Sequence, residues 1–195
     1  MYLYLVRHGQ SEGNVLGNFH GHTDYPLTEL GHQQAREVAE KLKEISFTRC
    51  CASDLRRAWD TAGYCVEGRG VERESFPDLR EFYLGDMEQV SVEDARKRWP
   101  EICVDFLDRW FDTIPAGGEN PRDMLERVAR CVDEIIRRGE DTLIVAHYGS
   151  LGLALVHLGL LDPMDIMTER YIFRQGAYTA VKITDRGPRL MCFNR

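Results

Sequence analysis

The chain has 195 residues, of which 43% are hydrophobic, 29% charged and 10% aromatic. These proportions are typical of a soluble globular domain and exclude collagen, coiled coil and intrinsic disorder. The formal net charge of −7 argues against a nucleic-acid or membrane-surface partner, so we expect any anionic ligand to be held by a few focused arginines.

Strand and helix patterns alternate along the first part of the chain. Residues 2–6 predict a short apolar strand, and apolar residues at helical spacing predict a helix over 28–45 with Thr28 as its N-cap. Residues 47–52 predict a second strand. Ser53 is placed to cap a following helix over 54–66.

The same alternation returns after residue 120. A proline at the first helical position and an acid in the first turn start a helix that ends at Gly139. A wholly apolar strand over 142–146 precedes a helix over 150–158, and residues 177–184 and 190–193 predict closing strands. This order predicts an α/β fold, a three-layer α/β/α sandwich around a mainly parallel central sheet.

Residues 84–119 interrupt the alternation. They are acidic and rich in aromatic residues, including Trp99, Phe106 and Trp110, and they return to the core through the sequence Pro-Ala-Gly-Gly at 115–118. We interpret them as a helical lid insertion within a single domain that spans residues 1–195.

We expect a cytoplasmic protein. The longest apolar stretch, residues 151–161, is interrupted by His157 and is shorter than the roughly 18 residues that a membrane span needs. The N-terminal apolar residues run directly into Arg7 and His8, without the apolar core of a signal peptide. The six cysteines show neither CxxC nor zinc-finger spacing, so we expect buried, reduced thiols.

Three predicted strands end in basic residues. The first ends in Arg7 and His8, the second runs into an arginine pair that includes Arg57, and the third ends at His147. A single histidine at a strand end, or one arginine pair at a helix start, is more often structural. Here, however, basic residues follow three strands, and the carboxyl ends of parallel strands share one edge of a sheet. This recurrence of basic residues predicts a pocket for a phosphate or carboxylate. Gly9 would let the backbone approach that anion closely.

Several ordered blocks make the sequence recognisable. They are LVRHGQSEGN at 5–14, PLTELGHQQA at 26–35, SDLRRA at 53–58, LRE at 79–81 with a glycine at 85, GGE at 117–119, and His147. Together they resemble the signature of the histidine phosphatase superfamily, in its phosphoglycerate-mutase-like branch. The chain length is similar to that of the α-ribazole-phosphatase-like and broad-specificity members.

The resemblance implies a role for each matching residue. His8 would be the nucleophile that becomes transiently phosphorylated, and Arg7, Arg57 and His147 would hold the phosphoryl oxygens. Glu81 would be the proton donor, although its position beside Arg80 would on spacing alone favour an ordinary exposed acid.

Further positions concern substrate binding. The resemblance implies that Asn14 and Gly21 help to place the substrate. The family usually has glycine where this chain has Tyr148, which could narrow the pocket or could point away and pack; both interpretations stay open. The family's Trp-Glu-Gly is here Met-Glu-Gln at residues 87–89.

We therefore expect a phosphomonoester hydrolase that acts on a small phosphorylated metabolite through phosphohistidine, with no metal and no cofactor. One alternative is a phosphoglycerate mutase, which the short chain and acidic insertion disfavour. A second is a non-catalytic phosphate-ligand-binding protein, which would not need a nucleophile. A metal site at His20, His22 and Asp24 is a third, but without a clear further ligand we expect exposed loop histidines there. A homodimer is left open.

Overall fold

The computed structural model describes residues 1–102, 110–166 and 168–195. In these residues six strands form one sheet: β1 (Tyr2–Arg7), β2 (Arg49–Ala52), β3 (Arg73–Ser75), β4 (Thr142–Ala146), β5 (Tyr178–Thr184) and β6 (Gly187–Cys192). The strand order is β3-β2-β4-β1-β5-β6. The first four strands in this order are parallel, and β5 and β6 extend the sheet as antiparallel neighbours.

The α-helices of the described residues cover both faces of the sheet. They are α1 (Glu12–Leu16), α2 (Glu29–Lys41), α3 (Arg56–Val66), α4 (Val92–Arg98), α5 (Pro121–Arg137) and α6 (Tyr148–His157). One apolar cluster joins Val38 of α2 and Ala58 of α3 to one face of the sheet. A second joins Val128 of α5 and Leu151 of α6 to the opposite face. The predicted α/β/α sandwich is thereby confirmed.

The central strand β4 explains why the strand ends meet. All five of its residues are buried, as expected for a parallel strand covered on both faces. It pairs with β1 in a register that sets Arg7 opposite Ala146, and with β2 in a register that sets Ala52 opposite Val145. The residues that follow these strands therefore begin at the same edge of the sheet.

Several predicted boundaries were wrong. Helix α3 begins at Arg56, and its N-cap is Leu55, which makes no side-chain capping bond. Ser53 is not its N-cap: the buried Ser53 Oγ accepts from the amide of Leu55 over 3.3 Å, before the helix begins, and lies 2.8 Å from His147 Nε2. Helix α6 begins at residue 148 rather than 150, β6 begins at residue 187, and the short elements α1 and β3 were not predicted.

The interruption at residues 84–119 is partly helical. Its described residues contain α4 and two single turns of 3₁₀ helix, Gly85–Met87 and Trp110–Asp112, whereas Phe106 lies outside the described residues. Its two ends touch at Gly85, where φ is +55° and a Cβ atom would stand 2.3 Å from the carbonyl oxygen of Ala116. Glycine is needed there because other residues rarely adopt this conformation.

Of the cysteines in the described residues, Cys50, Cys51, Cys65 and Cys131 are free and buried, as expected, whereas Cys192 is free but only half-buried. Cys103 lies outside the described residues. Burial raises the pKa of Cys51, Cys65 and Cys131 to about 12, so these thiols stay protonated at neutral pH.

None of the helices in the described residues has the length and the apolar composition that a membrane span requires.

Candidate active site

His8 leaves β1 at the shared edge of the sheet. Its amide donates to the carbonyl of Ala146 over 3.0 Å, and its ring centroid lies 5.0 Å from that of His147. The next residue, Gly9, packs on the first turn of α2 so closely that a Cβ atom would stand 2.3 Å from the carbonyl oxygen of Gly31. This close approach, and not only access for an anion, explains the glycine in the Arg-His-Gly sequence.

The hydrogen bonding of His8 identifies its free ring nitrogen. Nδ1 lies 2.6 Å from the carbonyl oxygen of Gly9. A carbonyl can only accept, so Nδ1 carries the proton and Nε2 keeps its lone pair. Burial, followed by the charges of Arg57 and Arg7, lowers the pKa of His8 well below its usual value. The imidazole is therefore neutral near pH 7, as a nucleophile must be.

Arg57 is held by the loop that follows α1. Its side chain is 1% exposed, and Nη1 donates to the carbonyl of Thr23 over 2.9 Å and Nη2 to that of Gly21 over 2.7 Å. The Gly21 amide in turn donates to Glu88 Oε1 over 2.9 Å. A Cβ atom at Gly21 would stand 1.7 Å from the carbonyl oxygen of Phe82. In this structure Gly21 thus contacts protein groups and orients Arg57.

Arg7 and Tyr148 lie against each other. Arg7 Nη1 donates to the carbonyl of Phe173 over 3.0 Å, and its guanidinium carbon lies 5.4 Å from the centre of the Tyr148 ring. The Tyr148 hydroxyl donates to the carbonyl of Ile166 while its ring lines the cavity described below. The Tyr148 ring therefore narrows the pocket, while the Tyr148 hydroxyl donates its hydrogen bond to the backbone rather than to a ligand.

His147 lies fully buried behind His8. Its Nε2 is 2.8 Å from Ser53 Oγ, and burial, followed by the charges of Arg57 and the neighbouring His8, lowers its pKa well below the usual value. It does not line the cavity, but it contacts the His8 ring that does.

Unpaired polar atoms converge on this cluster. Within the described residues, four buried side-chain nitrogens lack a hydrogen-bond partner: Nε of Arg7, Nε of Arg57, Nδ1 of His147 and, away from this site, Nε of Arg49. Unpaired buried polar groups are costly, so three of them in one cluster indicate a site built for an acceptor. The Nε atoms of Arg7 and Arg57 are N–H donors, so an anion with several oxygens fits this cluster.

Glu81 faces the same cavity from a different segment. Both of its carboxylate oxygens lie 3.1 Å from the amide of Gly149, and Oε1 also accepts from the amide of Phe82 over 2.9 Å. A Cβ atom at Gly149 would stand 2.3 Å from Oε1, so glycine at that position leaves room for the carboxylate. The structure brings Glu81 into the cluster formed by the strand ends.

The cluster opens into a cavity of about 240 Å³. The polar end contains Arg7, His8, Arg57 and Glu81, and much of the remaining wall is apolar. The described lining residues beyond the polar end are Asn14, Asn18, Phe19, His20, Phe82, Leu84, Trp110, Tyr148, Gly149 and Ile166. Trp110 and Leu84 belong to the interruption at 84–119, which therefore covers part of the site.

The loop histidines differ from expectation. His20 is half-buried and lines the cavity, with Nδ1 donating to the carbonyl of Asn18 over 2.7 Å and Nε2 lying 3.3 Å from Asn14 Nδ2. His22 Nε2 donates to the carbonyl of Glu81 over 3.0 Å. The interpretation of both as exposed was wrong, because the loop pairs with the segment before α4: the Phe19 amide donates to the carbonyl of Val90 over 2.9 Å, and the His22 amide donates to Glu88 Oε1 over 2.9 Å. No cluster of three or more potential metal ligands occurs in the described ranges.

Comparison with known proteins shows which family the chain is similar to. The model of the histidine phosphatase superfamily (branch 1) matches residues 3–195. The adenosylcobalamin/alpha-ribazole phosphatase of Salmonella typhimurium is 33% identical over 187 residues, covering 95% of this chain and 92% of that protein. A 2,3-bisphosphoglycerate-dependent phosphoglycerate mutase of Xanthobacter autotrophicus is 37% identical over 176 residues, covering 85% and 84%. The crystal structure of the alpha-ribazole phosphatase from Shigella flexneri has a TM-score of 0.91 at 29% identity, covering 100% and 96%.

Proposed function

Because the chain belongs to the histidine phosphatase superfamily, we propose that it hydrolyses phosphomonoesters of small metabolites in the cytoplasm through a phosphohistidine at His8. The observation that carries this proposal is the neutral, buried His8 beside the guanidinium groups of Arg7 and Arg57, each of which has an unpaired Nε donor. A nucleophile and an anion-binding donor set in one pocket are what phosphoryl transfer requires.

In the first half-reaction, Nε2 of His8 attacks phosphorus while the bond to the leaving oxygen breaks. Glu81 gives that oxygen its proton, so an alcohol leaves. In the second half-reaction, Glu81 takes a proton from water, which attacks the phosphohistidine. Inorganic phosphate is released, and the N–P electron pair returns to His8. Arg7 and Arg57, which line the cavity, donate to the phosphoryl oxygens throughout, and His147 packs against the His8 ring from behind.

Two guanidinium groups supply the positive charge that many phosphoryl-transfer enzymes take from magnesium. Arg7 and Arg57 are both held by backbone carbonyls, so their positions are fixed before the substrate binds. We propose that the reaction needs no metal and no further cofactor.

The cavity wall supports an uncharged or aromatic leaving group. Phe19, Phe82 and Trp110 provide apolar surface beyond the phosphoryl end. Among the described lining residues, the arginines are Arg7 and Arg57, which are already assigned to the first phosphoryl group. A mutase must also clamp a second anionic group, so this wall favours net hydrolysis.

Phosphoglycerate mutase remains the second candidate, because relatives of that name match most of the chain. The experiment is to incubate the protein with 3-phosphoglycerate and a trace of 2,3-bisphosphoglycerate, and to follow 2-phosphoglycerate and free phosphate. A panel of other phosphomonoesters runs in parallel. We expect phosphate release from the panel and little isomerisation. Isomerisation faster than phosphate release would establish the mutase, and binding without either reaction would establish a non-catalytic binder.

A further inference from the structure

The side chain of Arg127 forms hydrogen bonds to the backbone segment that carries Glu81. It lies in the middle of α5, and its side chain is 12% exposed. Nη1 donates to the carbonyls of Asp78 over 2.7 Å and Arg80 over 2.9 Å, and Nη2 donates to that of Glu81 over 3.0 Å. One guanidinium thus binds the backbone at three points within four residues.

Glu119 holds the same guanidinium from the other side. Its Oε1 accepts from Arg127 Nε over 2.6 Å and its Oε2 from Nη2 over 2.9 Å. The Glu119 amide donates to the carbonyl of Tyr83 over 2.9 Å, and Oε2 accepts from the Tyr83 amide over 3.3 Å. The backbone is therefore anchored to one ion pair both before and after Glu81.

The bonding of Arg127 is complete. An arginine has five N–H donors, and the five bonds to Glu119 and to the three carbonyls use them all. Arg127 does not line the cavity, in contrast to Arg7 and Arg57. Its contacts place it next to the backbone of the proton donor rather than next to the substrate.

We propose that Arg127, with Glu119 as its counter-ion, is a positioning residue that fixes Glu81 for proton transfer to the leaving group. This inference rests on the proposed function. The Glu81 carboxylate bonds to the amides of Gly149 and Phe82 only if its own backbone stays in place. A shift of a few tenths of an ångström would lengthen the proton-transfer distance without touching the phosphoryl end of the site.

The test uses two substrates that differ in their need for a proton. An alkyl phosphate has a poor leaving group and depends on a general acid, whereas p-nitrophenyl phosphate barely does. The quantity measured is kcat/KM, because it reports phosphoryl transfer to His8 and is independent of later dephosphorylation. Arg127→Lys keeps the charge but has three donors instead of five. We expect a loss of roughly tenfold to a hundredfold on the alkyl phosphate and less than about threefold on the aryl phosphate.

The controls separate this inference from the proposed function. Arg130→Lys, an exposed position on the same helix, should change neither value. Glu81→Gln should lower kcat/KM much more on the alkyl phosphate than on the aryl phosphate. If kcat/KM falls equally on both substrates, Glu81 is not the acid and the proposed function needs revision. If Glu81→Gln affects mainly the alkyl phosphate but Arg127→Lys lowers kcat/KM equally on both substrates, Arg127 is only structural and the inference is overturned.

A double variant provides a second readout. If Arg127 acts through Glu81, adding Arg127→Lys to Glu81→Gln should cost little further activity on the alkyl phosphate. Additive losses would contradict the inference. Should Arg127→Lys fail to fold, Glu119→Gln keeps the carbonyl contacts of Arg127 and weakens only its counter-ion. It should show the same discrimination between substrates to a smaller degree, and equal losses would again overturn the proposal.

Discussion

Acidification from pH 7.5 to 5.5 should destabilise the protein because two of its histidines are buried in neutral form. His8 is 3% exposed and His147 is 0% exposed, and burial lowers the pKa of both well below the usual value. In the unfolded chain each histidine titrates near pH 6.5, so below that value the unfolded state binds more protons. The contribution of the two neutral histidines to the unfolding free energy is therefore fully present above about pH 6.5, and it is lost as the pH falls below that value.

The size of the loss follows from the unfolded pKa alone, provided both rings stay neutral in the folded protein. At pH 5.5, one unit below that pKa, each histidine costs about 1.4 kcal/mol and the pair about 3 kcal/mol. Half-buried His20 and His22, whose pKa is lowered mainly by burial, act in the same direction. The carboxylate of Asp54 also has a lowered pKa, through hydrogen bonds from Arg80, but it loses its contribution only below about pH 4.

Urea unfolding at half-unit steps of pH in phosphate-free buffer measures this effect. The slope of the unfolding free energy against pH, divided by 2.303RT, gives the number of protons taken up on unfolding. This number should approach two or slightly more, and each of the variants His8→Asn and His147→Asn should lower it by about one. Inorganic phosphate should raise the unfolding midpoint because it pairs with the buried donors. A stability that stays constant or rises between pH 7.5 and 5.5 would refute the assignment of two neutral buried histidines.

Three further results are expected. In Gly149→Ala the new Cβ would stand 2.3 Å from Glu81 Oε1, so the carboxylate must move; kcat/KM on an alkyl phosphate should fall about tenfold or more with an unchanged circular dichroism spectrum. Trp110→Ala removes apolar surface from the cavity wall and should raise KM for an aryl phosphate about tenfold, while inhibition by inorganic phosphate stays the same. EDTA should leave turnover unchanged and vanadate should inhibit; a loss in EDTA that zinc or magnesium restores would contradict the arginine-based charge balance.

The sheet and the cluster at its edge could be predicted from the sequence. The apolar run of β4 and the Arg-His end of β1 each carry their own signal, and the parallel register brings His8 and His147 together. Local patterns are enough here because a buried parallel strand has little choice of register.

Contacts between distant segments could not be predicted in the same way. Ser53 has the composition of an N-cap, but its hydroxyl meets His147, 94 residues later. His20 enters the cavity only because the loop after α1 pairs with the start of α4, where Asn18 bridges to Ser91. Arg127 looks like a polar-face residue of an amphipathic helix until the Glu81 segment lies beside it. Such roles depend on the route of loops, for which the sequence pattern has no period to detect.

Covalent labelling of His8 tests the central claim most directly. Because Glu81 is proposed to activate the water of the second step, Glu81→Gln should form the phosphoenzyme from p-nitrophenyl phosphate and hydrolyse it slowly. The mixture is quenched in base, in which phosphohistidine survives, and its peptides are examined by mass spectrometry. The account predicts one added phosphoryl group on the peptide that contains His8, and none when His8 is also replaced by Asn. A phosphoryl group on another residue, or release of p-nitrophenol with no labelled peptide at any time, would contradict it.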